Sequence, residues 1–345
     1  MTPPGAAGGR SPPGGQRQRT GGAGSAAFAG RRLALAGLGV SGLSGCAAWL
    51  PPPQSSALLA APPAGVPARV ELEAVPFFPQ TPFHCGPAAL ATVLQHAGFG
   101  GATPEALADR VFLPAREGAL QLEMLAAARR AGALPVRLPG ELTALCAELA
   151  AGQPMVVLQN LGLAIAPRWH YAVPVGYDLG GREWVLRSGT TRRERLEFGL
   201  FERTWARGGH WAFATSVPGH LPATAREADV VDAALGFERA APPAAARAAV
   251  WQSVTARWPD NLAASIGLGN AHAASGDWRA AARVFEAAAT KHDSAAAWHN
   301  LALAMAALGQ REGARNAAAR ALERARGFEP AWLDAAQALT LRLEE

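Results

Sequence analysis

A cysteine and a histidine in this chain stand in contexts that would let them act as a nucleophile and its base. Cys85 is followed by Gly86, Pro87 and an apolar run, a pattern that indicates a loop turning into a helix. The N–H groups and the dipole of a helix N-terminus favour an anion, so we expect a thiolate to be stabilised there. His170 opens a strand-like run downstream and is the candidate base for the thiol proton.

Gln80 adds a third polar group to this pair. It precedes Cys85 in the same loop, and its side-chain amide could donate a hydrogen bond to the oxyanion of a tetrahedral intermediate. The order glutamine, cysteine, histidine is the one that a papain-type cysteine nucleophile needs. The sequence therefore predicts covalent catalysis by Cys85, His170 and Gln80. The histidines and cysteines lack paired ligand spacing, so we predict neither a metal site nor a cofactor.

Two separated segments of the chain resemble a known family. Residues 75–90, which contain VPFFPQ and HCGPAAL, and residues 170–178, HYAVPVGYD, resemble the double-glycine bacteriocin-leader peptidases and their stand-alone relatives. The resemblance covers roughly residues 70–218 and implies an α+β papain-like cysteine peptidase domain. It also implies a narrow groove, because members of the family favour glycine at the cleaved position.

The resemblance implies a role for each residue of the predicted site. Cys85 would be the nucleophile, His170 the general base and acid, and Gln80 the oxyanion donor. The family usually carries an acid at the end of the strand after the histidine strand, and Ser188 stands near that position here. A hydroxyl can fix the tautomer of an imidazole but stabilises an imidazolium far less than a carboxylate does. Asp178, the nearest acid after His170, would lie more than about 20 Å away along a straight strand.

Ser188 leaves two functions open. In the first, the chain is a cysteine peptidase that is held outside the cytoplasm by a lipid anchor and cleaves a peptide or protein segment. In the second, it is a degenerate peptidase whose missing acid reflects lost chemistry, and it acts as a scaffold that binds protein partners through helical repeats.

The start of the chain has the order of a secretory signal. Two arginines precede the apolar residues 33–42, a stretch that is too short to span a bilayer comfortably. Residues 43–46, Leu-Ser-Gly-Cys, resemble the bacterial lipoprotein box, in which the cysteine is acylated. This resemblance implies a signal peptide over residues 1–45, a lipidated Cys46 and a protein on the outer membrane that faces the periplasm or the cell surface.

The charge of the chain argues against nucleic acid as a partner. The formal net charge is +5, but five arginines and no acidic residue precede Cys46. Removal of that segment would leave a formally neutral protein without a basic surface for nucleic acid.

The remaining sequence divides into a tether and two folded parts. The proline-rich residues 46–69 predict a flexible tether. Helical patterns between residues 85 and 151 and extended runs between 155 and 215 predict the α+β domain over residues 70–218. Cys85 would then lie on the helical part and His170 on the sheet.

Residues 224–345 form an alanine-rich helical region with an internal repeat. The pattern of residues 265–288 recurs 33 residues later, with glycines between the paired helices. This resembles the tetratricopeptide repeat and predicts a small solenoid. Its concave side could bind a protein partner or pack on the peptidase domain.

Several other polar residues are predicted to be structural. Cys146 lies on an amphipathic pattern and is expected to be a small buried side chain. His84 is expected at the surface or in the cleft, and His96 as a hydrogen-bonded helix residue, whereas His210 has no partner that the sequence identifies. Residues 192–195, RRER, are expected to form the solvated edge of a strand.

Overall fold

An α+β region followed by an all-helical region, as predicted, makes up the computed structural model of this protein. The structure describes residues 52–80, 84–113 and 118–344. The predicted signal peptide over residues 1–45 and the predicted lipid-bearing Cys46 lie outside the described residues. None of the helices in the described ranges has the length and apolar character needed to cross a bilayer.

The α+β region contains the elements predicted from residue 85 onwards and several that the sequence did not reveal, namely the helices at residues 53–60 and 198–207 and the strands at residues 69–71, 112–113 and 118–119. Its elements are α1 (Pro53–Ala60), β1 (Arg69–Glu71), α2 (Cys85–His96), α3 (Pro104–Val111), β2 (Phe112–Leu113), β3 (Gly118–Ala119), α4 (Gln121–Arg130), β4 (Leu134–Arg137), α5 (Leu142–Ala150), β5 (Met155–Asn160), β6 (Trp169–Asp178), β7 (Glu183–Ser188), β8 (Thr191–Glu197), α6 (Phe198–Arg207) and β9 (Ala212–Ser216).

One antiparallel sheet organises this region. Among the described residues it has seven strands, in the order β4-β9-β5-β6-β7-β8, and β1 pairs with the later part of β6. The β6 strand is therefore central, with β5 on one side and β7 on the other, whereas β8 is an edge strand. The residues at the start of β6 consequently lie beside the ends of β5 and β7.

Helices cover both faces of the sheet and enclose two hydrophobic cores. On one face, α2, α3 and α4 pack on the side chains of β6 that include Tyr171 and Val173. On the other face, α1, α5 and α6 pack on Ala172 and its neighbours. Successive strand residues point to opposite faces, so each residue of β6 has a defined side.

A β-bulge in β6 changes that alternation. The register with β7 shifts between Pro174 and Gly176, and Tyr177 therefore joins the core beneath α5 and α6. Glycine is required at position 176 because β1 passes close to the backbone there: an added Cβ would lie 2.4 Å from the carbonyl oxygen of Val70. The bulge separates the first half of β6, which carries His170, from the half that pairs with β1.

The prediction of a flexible tether is wrong for residues 53–60, which form the helix α1 on the surface of the α+β region. Leu58 is completely buried there. The buried carboxylate of Glu202, on α6, accepts hydrogen bonds from the backbone N–H groups of Gln54 and Ser55 and from the Ser55 hydroxyl. A carboxylate at the N-terminus of a helix satisfies donors that have no partner within the helix. Glu202 thus fixes a segment that composition alone assigns to a linker.

The helical region consists of antiparallel neighbours joined by short turns. Its elements are α7 (Glu227–Arg239), α8 (Ala244–Arg257), α9 (Leu262–Ala274), α10 (Trp278–His292), α11 (Ala295–Ala307), α12 (Arg311–Gly327) and α13 (Leu333–Glu344), with a 3-10 turn at Pro330–Trp332. The glycines predicted between paired helices are Gly276 and Gly309, which follow α9 and α11 with φ angles of 80° and 74°. A Cβ on Gly267 would meet the ring of Trp251 at 2.3 Å, so this small residue allows two helices to touch.

The helical region is fixed to the sheet rather than flexibly linked to it. Leu134 and Val136 of β4 share a core with residues of α7, α8 and α9. In the connection before α7, Thr224 donates two hydrogen bonds to the buried carboxylate of Glu148 on α5. The edge of the sheet at β4 is therefore covered by helices.

Candidate active site

Cys85 is the first residue of α2, and its sulfur is surrounded by backbone donors. The backbone N–H groups of Cys85, Gly86 and Tyr171 lie near Sγ, and each lowers the pKa of the thiol. Gly86 also lets β3 approach the start of the helix, because an added Cβ would lie 2.5 Å from Cβ of Ala119. The Tyr171 hydroxyl donates a hydrogen bond to the Ala119 carbonyl at 3.1 Å, which joins the same strand to β6. Three elements thus meet at the cysteine.

Burial, rather than the helix dipole, decides the protonation state of this thiol. Burial raises the pKa of Cys85, and the nearby N–H groups lower it by less. The expectation of a stabilised thiolate is therefore wrong for the free protein, in which the sulfur carries its proton. Any nucleophilic attack by Cys85 requires a base that removes this proton as the reaction proceeds.

His170 and Ser188 form a direct hydrogen bond. Nε2 of His170 lies 2.9 Å from Oγ of Ser188, which ends the neighbouring strand β7. This contact holds the imidazole plane in one orientation. No described residue forms a hydrogen bond with the other ring nitrogen, so Nδ1 remains for proton exchange with a reacting group.

The His170 ring lies on the face of the sheet that α6 covers. Gln159 is its cross-strand partner on β5, and the Gln159 amide donates a hydrogen bond to Thr204 of α6 at 2.7 Å. A cavity of about 220 Å³ opens beside the ring. It is lined by the hydrogen-bonded pair of the site, one polar residue from β5 and one from α6, one acid and three leucines: His170, Ser188, Gln159, Thr204, Glu194, Leu161, Leu196 and Leu200.

Tyr171 connects the cysteine to the histidine. Its backbone N–H lies close enough to Sγ of Cys85 to lower the pKa of the thiol, and the preceding residue in β6 is His170. The sulfur therefore lies close to the His170 backbone. In the described part of the chain, no hydrogen bond joins Sγ itself to the His170 ring, so proton transfer between them requires the ring or the sulfur to move.

Gln80 is held beside Tyr171 by hydrogen bonds. Its backbone N–H donates to the carbonyl of Gly189 at 3.0 Å, and its Oε1 accepts the Gly189 N–H at 3.1 Å. Its Nε2 donates a long hydrogen bond, 3.4 Å, to the carbonyl of Tyr171. The amide of Gln80 thus lies next to Tyr171, whose N–H lowers the pKa of Cys85, and its long hydrogen bond is one that an oxyanion could replace.

Arg187 supports the segment that leads to Gln80. Its buried guanidinium donates hydrogen bonds to the carbonyls of Glu73 and Val75 and, at 2.6 Å, to the carbonyl of Arg192. These contacts join the chain before Gln80 to the β7–β8 hairpin. The hairpin that carries Ser188 and the segment that carries Gln80 are therefore held as one unit.

The charge state of His170 reflects three influences. Burial lowers its pKa most, the carboxylate of Glu194 raises it, and the guanidinium of Arg168 lowers it. The imidazole is accordingly neutral at physiological pH and able to accept a proton. A neutral imidazole beside a protonated thiol is the resting arrangement of the site.

The other residues considered from sequence lie elsewhere. Asp178 is at the far end of β6, where it accepts a hydrogen bond from Gly181 N–H. The ring of His84 stacks on Phe112, and His96 contacts the carbonyl of Gly152 at 3.0 Å. His210 lies just before β9, which starts at Ala212, and its backbone is left-handed, with φ of 51°.

Cys146 is completely buried on α5, and burial raises the pKa of its thiol to about 12. Within residues 52–80, 84–113 and 118–344, no three histidine, cysteine, aspartate or glutamate side chains lie close enough together to hold a metal ion.

No protein-family model matches this chain, and no curated protein does. Among solved structures it is similar to a crystal structure from Bacillus anthracis that is described as a C39-like peptidase, with 20% sequence identity and a TM-score of 0.36. The similarity covers 43% of this chain and 96% of the other. Similarity at this level assigns no activity to the present chain.

Glu194 is the site residue that sequence reasoning missed. The prediction of a solvated strand edge at residues 192–195 is correct for Arg193 and Arg195, which are exposed. It is wrong for Glu194, which lines the cavity beside His170. A signal was present: Leu196 is apolar and shares a face with Glu194 in any strand with a two-residue period. The role of the Tyr171 N–H group had no such signal, since backbone contacts depend on tertiary packing.

The lowered pKa of His170 predicts a pH dependence of stability. The unfolded chain binds a proton near pH 6.5, whereas the buried imidazole binds it only at lower pH. The contribution of His170 to the free energy of unfolding is therefore fully present above about pH 6.5. It is lost as the pH falls from there through the pKa of His170 in the folded protein. In His170→Gln this contribution is absent, so its Tm should fall less than that of the wild type between about pH 7.5 and about pH 5.5.

His299 also has a pKa lowered by burial, and it is present in both proteins. The difference between wild type and His170→Gln therefore isolates His170. Equal losses of Tm in calorimetry of the two full-length proteins would contradict the assignment.

Proposed function

We propose that this protein is a cysteine peptidase with a papain-like α+β domain that hydrolyses a peptide or protein segment. The observation that supports it best is the position of Tyr171, which follows His170 in β6, has its backbone N–H near the sulfur of Cys85 and accepts a hydrogen bond from Gln80 on its carbonyl. Nucleophile, base and oxyanion donor come from three different parts of the chain. Structural packing alone does not require these three types of side chain at one backbone position.

The proposed reaction begins with proton transfer. Nδ1 of His170 takes the proton of the Cys85 thiol while Sγ attacks the scissile carbonyl, and the amide of Gln80 stabilises the oxyanion. The imidazolium then gives its proton to the leaving amine as the C–N bond breaks, which leaves a thioester on Cys85. Water, deprotonated by His170, hydrolyses the thioester and restores the thiol.

Specific observations favour the alternative, a catalytically degenerate scaffold. The Cys85 thiol is protonated, no hydrogen bond joins it to the His170 ring in the described chain, and Ser188 replaces an acid. Such a protein would bind peptides in the cleft without cleaving them, with the helical region as a second binding surface.

Alkylation of Cys85 by iodoacetamide separates the two functions. If His170 is the base, His170→Ala should label at Cys85 at least about tenfold more slowly than the wild type near neutral pH, because the thiol then has no proton acceptor. His96→Ala is the matched control and should label at the wild-type rate, since His96 contacts Gly152 away from the cysteine. Peptide mapping by mass spectrometry would separate label on Cys85 from label on Cys46 or Cys146. Equal rates in wild type and His170→Ala would favour the scaffold.

We also propose that the protein is an exported lipoprotein of the outer membrane, acylated on Cys46. The sequence pattern before Cys46 supports this proposal. The docking of α1 places the start of the α+β region only a few residues after Cys46.

Radiolabelled palmitate should enter the wild type and not Cys46→Ser, because the thiol is the acceptor of the acyl chain. Cys146→Ser is a matched control that should retain the label. Label in Cys46→Ser would contradict the lipoprotein proposal.

The helical region is proposed to be of the tetratricopeptide type, with a protein partner on its concave side. The glycine–aromatic contacts, such as Gly269 against the ring of Phe285, support close helix pairing of that kind. Capture with full-length Cys85→Ala, compared with the same variant ending after residue 274, which keeps the helices that share a core with β4, would identify a partner. A set of captured proteins that does not depend on the repeats would contradict that surface.

A further inference from the structure

The carboxylate of Glu194 faces the cavity beside His170. Glu194 is the cross-strand partner of Leu186, which belongs to the core beneath α5 and α6. Paired residues of antiparallel strands share a face of the sheet. Glu194 therefore points towards α6, on the same side as His170 and Ser188, and all three line the cavity.

Glu194 is also unpaired, although it lies between two arginines. Arg193 binds Glu71 at 2.6 Å, and Arg195 binds Glu183, both on the opposite face of β8. Within the ranges that the structure describes, the Glu194 carboxylate itself accepts no hydrogen bond and forms no ion pair. A carboxylate that turns into a partly enclosed cavity without a cation leaves a negative charge available to that cavity.

Two charged groups act on His170 in the described part of the chain. β8 presents Glu194, and the exposed Arg168 lies just before β6. β5 and α6 present the uncharged side chains of Gln159 and Thr204. Glu194 is thus the acid that is placed to act on the imidazole.

We propose that Glu194 is a positioning residue that stabilises the imidazolium of His170, so that Ser188 and Glu194 divide the work of one catalytic acid. Ser188 holds the ring through Nε2, and Glu194 supplies the negative charge that a hydroxyl lacks. This inference rests on the proposed function, in which His170 becomes protonated during each cycle.

The charge acts through space rather than through a hydrogen bond. Opposite charges attract more strongly in a cavity than in bulk water, and the effect weakens with added salt where the groups are solvent-accessible. Glu194 is half-buried, so the effect should be partly screened at high ionic strength. It should also be lost in Glu194→Gln, which keeps the size and polarity of the side chain.

NMR titration of His170 in the full-length protein tests the charge directly. The His170 signal is identified as the one missing from His170→Gln. Glu194→Gln should lower the pKa of His170 below its wild-type value, and Glu194→Asp should restore part of the difference. Glu183→Gln, which removes a carboxylate paired with Arg195 on the other face of the hairpin, is the matched control and should leave that pKa unchanged. An unchanged pKa in Glu194→Gln would overturn the proposal.

Alkylation kinetics give a second readout. With neutral iodoacetamide, Glu194→Gln should label Cys85 roughly threefold to tenfold more slowly than the wild type, a smaller loss than the roughly 10²–10⁴ expected for loss of a general base. A competing role for Glu194 is to bind a cationic substrate side chain. In that case Glu194→Gln would slow only a cationic reagent, 2-aminoethyl methanethiosulfonate, and not neutral methyl methanethiosulfonate, and this outcome would overturn the proposal.

The two experiments separate failure of this inference from failure of the proposed function. The NMR titration reports the interaction of Glu194 with His170 whether or not the protein cleaves peptides. A shifted pKa together with wild-type labelling in His170→Ala would support the interaction and contradict the peptidase. An unshifted pKa together with slow labelling in His170→Ala would support the peptidase and contradict the role of Glu194.

Discussion

The position of the Cys85 sulfur near the backbone N–H of Tyr171 is the arrangement on which the candidate site depends. It joins the start of α2 to the central strand β6, and it places the cysteine beside the residue that carries the candidate base. The hydrogen bonds of Gln80 to Tyr171 and Gly189 add the third group at the same position. The two hydrophobic cores, one on each face of the sheet, keep the helix and the strand in this relation.

Burial and local charge act in opposite directions in this site. Burial raises the pKa of Cys85 and lowers that of His170, so both groups are neutral at rest. A neutral thiol and a neutral imidazole form no ion pair at rest. Charges on these two groups therefore need stabilisation only while the reaction proceeds. In the proposed reaction, Gln80 and the N-terminus of α2 would stabilise the negative charge, whereas Ser188 and Glu194 would stabilise the positive one. This division explains how a site without the usual acid could retain chemistry.

Local signals in the sequence were sufficient for most of the elements from residue 85 onwards and insufficient for the contacts between them. Thr103 caps α3 through its side chain, and Gly276 takes the positive φ expected between helices, because both effects involve only neighbouring residues. The docking of α1 depends on Glu202, which is distant in sequence and whose buried carboxylate accepts a hydrogen bond from Ser55. Residues 198–207 lie between two strands, and no helix was predicted there, although they form an amphipathic helix. The two-residue period of β8 indicates which residues share a face with Glu194. Its pairing with Leu186 on β7 fixes that face as the one covered by α6.

The central claim is that Cys85, His170 and Gln80 form one reaction site, and a crystal structure of the protein treated with a short peptide aldehyde that ends in glycine tests it most directly. A thiol adds to an aldehyde to give a hemithioacetal whose oxygen mimics the tetrahedral oxyanion. We expect the adduct on Cys85, with that oxygen about 2.7–3.2 Å from Nε2 of Gln80 and Nδ1 of His170 turned towards the sulfur. An unmodified Cys85, or an adduct with the His170 ring still directed into the cavity beneath α6, would contradict the account.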